Sequence, residues 1–518
     1  MLRASCGALR LAIAAAVAGA CGGGGGGSAD AGAPDAVVPP PVAPFPAGFL
    51  WGTAIAPYQV EGGLHATDWY QWETLGLCGD CPEGEHADDG PDFWTHYPDD
   101  LAAAAALSTN AIRLGIDWSR VFPTAESFPD APDADAVATY HDMLATARAE
   151  GLSVMVTLHH FATPVWLHDL TDLDGRPGWV DPATAEAFAT FAGWAAAEFG
   201  GEVDLWITIN EPIPYVLGGW IAGSTPPGKS FDIDGAFAVL FNLIDAHARA
   251  YDAIHEADAV DADGDGIAAQ VSIAHHMRVY LPLDPGDPDH VRATDMIRYL
   301  SNDFVLNALV RGDVDRNFDF DADDPEDTRA SDALRGRLDF VGLNYYGVSL
   351  VVPTANDNNF PVIGLPLQSN LDRQGFDAPQ TDFGWAIYPS GLREVLDELQ
   401  AYGLPIIVTE NGLADATDAQ RPRFLLDHLY ELARAIGDGI DVRGYFHWSL
   451  MDNFEWSSGF CPRFGLYRVD YGDPDRRRTA GEGAAVYRRI IEANAVPVDL
   501  FADYGYPGSE TLCPTLPL

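Results

Sequence analysis

Side chains able to act as acids, bases or hydrogen-bonding groups come directly after several short apolar runs of this sequence. Asn210-Glu211-Pro212 follows one run and Glu410-Asn411-Gly412 follows another. Three further runs are followed by His159-His160, Asn344-Tyr345-Tyr346 and Trp448-Ser449. One carboxylate after a strand is commonly a loop cap or a salt-bridge partner, but five polar ends together indicate a shared site.

The elements that must position these side chains are eight β-rich runs separated by Ala-rich amphipathic stretches. This alternation predicts an α/β fold with a parallel sheet, and eight is the number of strands that closes a single (β/α)8 TIM barrel. In such barrels, chemistry takes place at the carboxyl ends of the strands. The predicted strands are Phe49–Ala54, Ala111–Leu114, Val154–Leu158, Leu205–Ile209, Gln270–Ala274, Phe340–Leu343, Ile406–Thr409 and Gly444–His447.

The N-terminus is typical of an export signal. Arg3 and Arg10 accompany the apolar run Leu11–Ala20, which is too short to span a bilayer as a mature helix, so residues 1–20 are predicted to be a signal peptide. The segment ending at Cys21 resembles a bacterial lipoprotein cleavage site, with ordinary cleavage near Ala20 and no lipid as the alternative. We therefore expect an exported protein: a periplasmic or cell-envelope lipoprotein attached through Cys21, or otherwise a secreted one.

The rest of the chain divides by composition. Residues 21–44 are a Gly/Pro/Ala-rich stretch with little to bury, which predicts a flexible linker. Residues 45–496 are predicted to be one barrel domain, and residues 497–518 a C-terminal tail.

The charge of the chain restricts its partners. The 518 residues include 77 Asp and Glu but only 29 Lys and Arg, a net charge of −48. Such a chain lacks the clustered cations that nucleic-acid binding requires, and it repels anions at long range. A small neutral substrate is favoured.

The cysteines and one acidic stretch raise the question of metal binding. Cys78 and Cys81 have the spacing of metal ligands, but no second similar pair follows, so a loop disulfide is favoured over zinc; the pairing of these two with Cys461 and Cys513 stays open. The stretch with Asp261, Asp263 and Asp265 resembles half of a calcium loop, but its twelfth position is Ser272. An exposed acidic turn is the alternative, and no metal is expected to be required for catalysis.

Several motifs together resemble glycoside hydrolase family 1. The segments TINEP (Thr208–Pro212) and VTENG (Val408–Gly412) resemble the two family motifs that carry catalytic glutamates. The resemblance extends from about Phe45 to Ala495. Further matching segments, in the family's order, are Phe45–Gly62, Asn110–Pro123, Asp339–Gly347, Gly384–Pro389 and His447–Tyr471.

This resemblance implies a retaining β-glycosidase. Glu211 would be the acid/base and Glu410 the nucleophile, with the two carboxyls about 5–5.5 Å apart on either face of the sugar. Arg113 and Tyr346 match family residues that contact the nucleophile. Glu410 would then be ionised, and Glu211 would hold the proton. No organic cofactor is implied.

The resemblance also implies a glycone pocket. One departure from the family is Phe161 after His159-His160, where Tyr-His-Trp is common, and another is Cys461 in the stretch entering the pocket. The residues carried over to sugar binding are Gln59, His160, Asn210, Asn344, Trp448, Glu455, Trp456 and Phe464.

The expected substrates are β-linked glucosides or galactosides, cleaved as single sugars from the non-reducing end. Glucose, galactose and fucose stay open, because Glu455 can bind either configuration of the 4-hydroxyl. The alternatives are a 6-phospho-β-glycosidase, which a carboxylate at Glu455 disfavours, a catalytically inactive sugar-binding homologue, and a barrel hydrolase that cuts within polysaccharides.

Overall fold

The structure is a computed structural model that describes residues 39–79, 81–316, 327–353, 364–367 and 378–506, with segment 364–367 as backbone only. The predicted signal segment, the lipid-attachment site at Cys21, Cys513 and most of the C-terminal tail lie outside the described residues.

Eight parallel strands form a closed barrel. Each strand pairs with the next along the chain, and β8 pairs with β1 through Gly52 and Phe446 to close the ring. The eight-stranded barrel predicted from the sequence is therefore confirmed. The strands are β1 (Leu50–Ala54), β2 (Ala111–Gly115), β3 (Ser153–His159), β4 (Leu205–Asn210), β5 (Gln270–Pro282), β6 (Val341–Pro353), β7 (Ile406–Asn411) and β8 (Val442–Trp448).

A long helix follows each strand in the described chain. Asp133, Asp232 and Asp287 cap the second, fourth and fifth of these helices by accepting hydrogen bonds from first-turn N–H groups. None of the described helices combines the length and apolarity needed to cross a membrane. The helices are α1 (Phe93–Ala106), α2 (Ala134–Ala149), α3 (Ala183–Phe199), α4 (Ile233–Ala257), α5 (Pro288–Arg298), α6 (Pro389–Leu399), α7 (Arg421–Gly437) and α8 (Glu482–Ala493).

Apolar side chains fill two layers. The larger one lies between strands and helices and includes Ile112, Phe191 and Leu425, all fully buried. A smaller cluster draws residues from most of the strands, among them Met155 and Phe446. Inward and outward residues alternate along each strand, so a barrel needs both layers. The packed barrel leaves room for a site only at its ends.

Two strands run much further than the sequence predicted. Strands β5 and β6 were expected to end at Ala274 and Leu343 but continue to Pro282 and Pro353. Beyond Ala274 and Asn344 their other barrel partners stop, and the two strands pair mainly with each other, a short strand at 364–367 adding to the outer edge of β6. We call residues 275–282 and 345–353 the β5–β6 extension; it projects past the carboxyl ends of the other strands.

The glycine that follows Glu410 is required by a close backbone contact. A Cβ atom placed on Gly412 would lie 1.8 Å from the carbonyl oxygen of Trp448. That oxygen belongs to the backbone at the end of β8 and cannot rotate away. Only glycine therefore lets the chain leave β7 beside β8 at this point.

We predict that Gly412→Ala destabilises the protein by about 2 kcal/mol or more, because overpacking against backbone forces both strand ends to move. Gly437→Ala is the matched control. Gly437 ends α7, and a Cβ there meets no atom within 4 Å. Denaturant unfolding monitored by circular dichroism measures both variants, and equal stability of the two would contradict the prediction.

Candidate active site

Arg113 lies at the centre of the polar residues in the barrel mouth. Its side chain is 1% exposed and donates from Nη1 to Glu410 Oε1 at 2.5 Å, from Nη2 to Asn210 Oδ1 at 2.8 Å and from Nε to Thr157 Oγ1 at 2.9 Å. Each guanidinium nitrogen thus has an acceptor, as a buried cation requires. Arg113 joins β2, β3, β4 and β7.

Glu410 accepts hydrogen bonds on both carboxylate oxygens. Besides the Arg113 contact, the Tyr346 hydroxyl donates to Oε2 at 2.7 Å. Burial and the charge of Glu410 raise the pKa of Tyr346 well above its usual value, so the phenol keeps its proton and remains a donor. Two donors on two oxygens favour the ionised form of Glu410.

Glu211 belongs to the same network. Asn344 donates from Nδ2 both to Glu211 Oε1 at 2.9 Å and to Asn210 Oδ1 at 3.1 Å. The path from one carboxyl to the other therefore runs through Asn344, Asn210 and Arg113. The structure brings the two predicted glutamates into one hydrogen-bonded group, although they are 199 positions apart in the chain.

His276, which the sequence analysis did not single out, faces Glu211. Its Nδ1 lies 3.5 Å from Glu211 Oε1, and its Nε2 accepts a hydrogen bond from Arg278 Nε at 3.1 Å. A guanidinium only donates, so Nε2 carries no proton and the imidazole is neutral, with its proton on Nδ1. His276 thus presents an N–H group, not a full positive charge, to Glu211.

The proton of the glutamate pair is best assigned to Glu211. Burial raises the pKa of Glu410 to about 7 against the opposing charge of Arg113, and two linked buried carboxyls hold a proton between them. Burial acts on the pKa of Glu211 in the same direction, but the charge of a protonated His276, together with the hydrogen bonds from His276 and Asn344, brings this pKa below its usual range. With His276 neutral, the largest of these opposing contributions is absent. Since Asn344 and His276 both approach Oε1 of Glu211, Oε2 is left for the proton.

The sugar-binding candidates Gln59 and His160 are buried beside this network. Gln59 donates from Nε2 to Asn453 Oδ1 and to the Phe454 carbonyl, each at 2.9 Å, while its Oε1 has no partner among the described residues. Asn210 Nδ2 donates to His160 Nε2 at 3.1 Å, which leaves Nδ1–H of His160 without an acceptor in the described structure. Both free groups are suited to sugar hydroxyls.

The aromatic candidates surround the same space. The Trp448 ring stacks on His160 at 5.8 Å between centroids, and its Nε1 lies 3.4 Å from Glu455 Oε1. Trp456 also stacks on His160, at 6.1 Å. Phe464 packs edge-on against Tyr346 at 6.3 Å. Indole faces and carboxyl oxygens in one cavity can bind the faces and hydroxyls of a sugar.

The backbone is strained at three residues of the site. Phe161, Glu211 and Trp456 have φ angles of 70°, 46° and 54°, in the left-handed region that non-glycine residues rarely adopt. Glu211 makes this turn directly after β4, where it precedes the short helix Pro212–Val216. Surrounding packing must hold such conformations, and they cluster at functional sites.

Several polar residues expected after the strands lie inside them. Asn210, Asn411 and Trp448 are the last residues of β4, β7 and β8, Glu410 is the last but one of β7, and Asn344 is within β6. Sequence reasoning missed His276 and Arg278 because it ended β5 at Ala274. The period-two pattern in which Val271, Ile273, Met277 and Val279 alternate with Ser272, Ala274, His276 and Arg278, broken only at His275, was the signal that could have found them.

The remaining predictions concern the cysteines and the acidic turn. Cys78 and Cys81 form a disulfide, as favoured from the sequence, and Cys461 is disulfide-bonded too. In the acidic turn, Asp261 and Asp263 approach Asp204, with carboxylate oxygens within 4.8 Å of one another. Asp265 instead accepts from Gln270 Nε2 at 3.1 Å. The predicted trio is therefore not the one that the fold brings together.

Known proteins resemble the chain over nearly its whole length. Residues 42–496 match the Glycosyl hydrolase family 1 sequence model. A β-galactosidase of Pyrococcus woesei is 33% identical over 87% of this chain and 98% of its own, and one of Saccharolobus solfataricus is 32% identical over 87% and 96%. The solved structure of a β-glycosidase from Pyrococcus horikoshii matches with a TM-score of 0.76 and 31% identity, covering 90% of this chain and 99% of that one. The resemblance predicted from the motifs is confirmed: the chain belongs to glycosyl hydrolase family 1 and is a glycoside hydrolase.

Proposed function

We propose that this protein is a retaining exo-β-glycosidase that removes single, neutral β-linked glucose or galactose units from the non-reducing end of small glycosides. The observation that carries the proposal is the continuous path of hydrogen bonds from Glu410 through Arg113, Asn210 and Asn344 to Glu211. It holds one carboxyl ionised and leaves the other able to keep a proton.

In the first step, Glu410 attacks the anomeric carbon while Glu211 donates its Oε2 proton to the leaving oxygen. The C–O bond to the leaving group breaks as the ester bond to Glu410 forms. Asn210 accepts from Arg113 and lies between the two glutamates, in a position to bind the 2-hydroxyl. That contact strengthens as charge develops on the sugar ring.

In the second step, water releases the sugar. Esterification removes the charge of Glu410, so the pKa of Glu211 falls and Glu211 acts as a base. The proton taken from water stays on Glu211, and the hydroxide equivalent bonds to the anomeric carbon as the ester bond breaks. Two inversions at one carbon retain its configuration.

Glycone recognition rests on groups that lack partners in the described structure. Gln59 Oε1 and His160 Nδ1 are buried and free, and burial lowers the pKa of His160 well below its usual value, so this ring is neutral. Unsatisfied buried polar atoms are costly, and sugar hydroxyls would satisfy them. These groups support an enclosed pocket for one sugar rather than an open groove for a polysaccharide.

The two alternatives within the family fit less well. An inactive sugar-binding homologue needs no acid–nucleophile pair, whereas both glutamates and their donors are in place. A 6-phospho-sugar would require cations near Glu455, but the neighbours of Glu455 in the described network are Trp448 and Asn453. A neutral sugar fits these groups better.

We predict that Glu410→Gln loses at least about 10³-fold in kcat/KM on every aryl β-glycoside, since no other group can form the covalent bond. Glu211→Gln should lose about 10²–10⁴-fold on poor leaving groups but far less on a 2,4-dinitrophenyl glycoside, which departs without a proton. The exposed Glu150→Gln variant is the control.

The stereochemistry and size of the products complete this test. Proton NMR early in the reaction should show the β-anomer of a monosaccharide. Hydrolysis rates of aryl glucosides, galactosides and fucosides, measured at equal concentration, show which sugar is preferred. Initial release of the α-anomer would overturn double displacement. Release of oligosaccharides from mid-chain would overturn exo action.

We also predict a pH effect on stability from Glu455. Burial raises the pKa of this carboxyl to about 8 in the free protein. Because the folded state holds this proton more tightly than the unfolded state, its contribution to stability is complete below about pH 4 and is lost as pH rises through 8. The difference in melting temperature, Glu455→Gln minus wild type, should therefore increase from pH 5 to 8 and stay constant above that.

Differential scanning calorimetry at several pH values measures this gain, with Glu150→Gln as an exposed control. A constant difference in melting temperature between Glu455→Gln and the wild type across pH 5–9 would show that the side chain does not change protonation in this range.

We further propose that the protein is exported and attached to a membrane through a lipid on Cys21, with residues 22–44 as the tether. Cys21→Ser should move the activity from the membrane fraction to the soluble fraction of the cell envelope or to the medium. Fractionation followed by an activity assay measures this. An unchanged distribution would contradict lipid attachment, and retention of the wild type in the cytoplasm would contradict export.

A further inference from the structure

Arg278 is a buried cation with no carboxylate partner among the described residues. It is 5% exposed and lies on the β5–β6 extension. Its Nε donates to His276 and its Nη1 to Ser349 Oγ at 3.2 Å, both neutral groups. No hydrogen bond from Nη2 is formed with the described chain. A buried guanidinium normally has an anionic partner, because its desolvation is costly.

The surrounding structure holds this guanidinium in one place. The pairing of β5 and β6 shifts register between Met277 and Val279, where Tyr346 and Gly347 of β6 lie opposite the single residue Arg278, so the extra residue is in β6. The backbone of Arg278 is fixed by Asn302, whose Nδ2 donates to the Arg278 carbonyl at 2.9 Å. The guanidinium carbon lies 4.9 Å from the centre of the Trp385 ring. The site is therefore built before any ligand arrives.

Arg278 lines a cavity of about 260 Å³ whose other walls include Ile213, Leu217 and Phe383. Arg278 lies on the side of the barrel mouth where Glu211 is, because His276 contacts both Arg278 and Glu211. The cavity also reaches Glu455 and Trp456 of the sugar-binding pocket. Glu211 is the residue that would protonate the departing oxygen, so the part of the cavity next to His276 and Arg278 receives the leaving group. The cavity thus offers that group apolar walls and one unpaired cation.

Building on the retaining β-glycosidase proposed above, we propose that Arg278 is the specificity residue of the leaving-group subsite, and that it selects β-glycosides whose apolar aglycone carries a carboxylate. The Nη2 group would donate to the carboxylate, which would be the anionic partner that Arg278 lacks among the described residues. Charge-assisted hydrogen bonds of this kind are roughly twice as strong as neutral ones.

The large negative charge of the chain does not oppose this selection at short range. Exposed charges are screened over about 8 Å at physiological salt, whereas a buried pair is screened much less. Glu455 borders the same cavity, but its pKa of about 8 keeps most of it neutral at pH 7. Repulsion therefore slows the approach of an anion more than it weakens the bound state.

The test compares two probes with the same sugar: 4-carboxyphenyl β-D-glucoside and its methyl ester. The measured quantity is the ratio of their kcat/KM values at 0.15 M salt. We expect Arg278→Gln to lower this ratio at least tenfold and Arg278→Lys to lower it less. The phenols released from the two probes are of similar basicity, so any effect of Arg278 that acts through His276 and Glu211 changes both rates to a similar extent and largely cancels in the ratio.

Arg443→Gln is the matched control, because it removes the same charge from an exposed residue near the start of β8, at the opposite end of the barrel. Its ratio should equal that of the wild type. An unchanged ratio in Arg278→Gln would overturn the assignment. Arg278 would be assigned to the sugar instead if the wild type preferred a 4-nitrophenyl β-glucoside 6-phosphate and Arg278→Gln lost that preference. Hydrolysis of neither probe by the wild type would instead count against the proposed function.

Discussion

The ion pair between Arg113 and Glu410 is the interaction on which the rest of the site depends. A charge pair this deeply buried is stable only if both partners are fully hydrogen-bonded, because each would otherwise lose its hydration without replacement. Thr157, Asn210 and Tyr346 supply those bonds. The positions of the surrounding polar groups follow from this need. Together with Arg113 and Glu410, these groups come from five different strands, so the barrel must close for the ion pair to form.

The same constraint explains why the site is made of strand ends rather than of free loops. All five groups in the path between the glutamates belong to strands or, like Glu211, come directly after one. Strand backbones are held on both sides by neighbours, which keeps a donor within a few tenths of an ångström of its acceptor. Where the chain must turn away, at Phe161, Glu211 and Trp456, it accepts unfavourable φ angles. Packing compensates for local strain so that side chains are aimed correctly.

The sequence was sufficient to predict the barrel and much of the site. Apolar runs at regular spacing predicted the eight strands, and the motifs around Glu211 and Glu410 predicted the residues that the fold brings together. It was not sufficient to predict how far β5 and β6 extend, because histidine and arginine in a strand interrupt the apolar pattern. The burial of Arg278 depends on two partners, Ser349 and Asn302, that come from other segments. The proton's location on the glutamate pair also required the three-dimensional contact between Arg278 and His276.

The projection of β5 and β6 beyond the other strands separates two properties of this enzyme. In the proposed reaction, the sugar is surrounded mainly by groups anchored in the barrel, whereas the departing group meets residues of a ribbon that pairs mostly with itself. Tyr346 and His276 also belong to this ribbon and contact the two glutamates, so substitutions there would affect bond breaking as well. Substitutions at other ribbon positions that do not contact the glutamate network can change which aglycones are accepted without disturbing Arg113 or its acceptors.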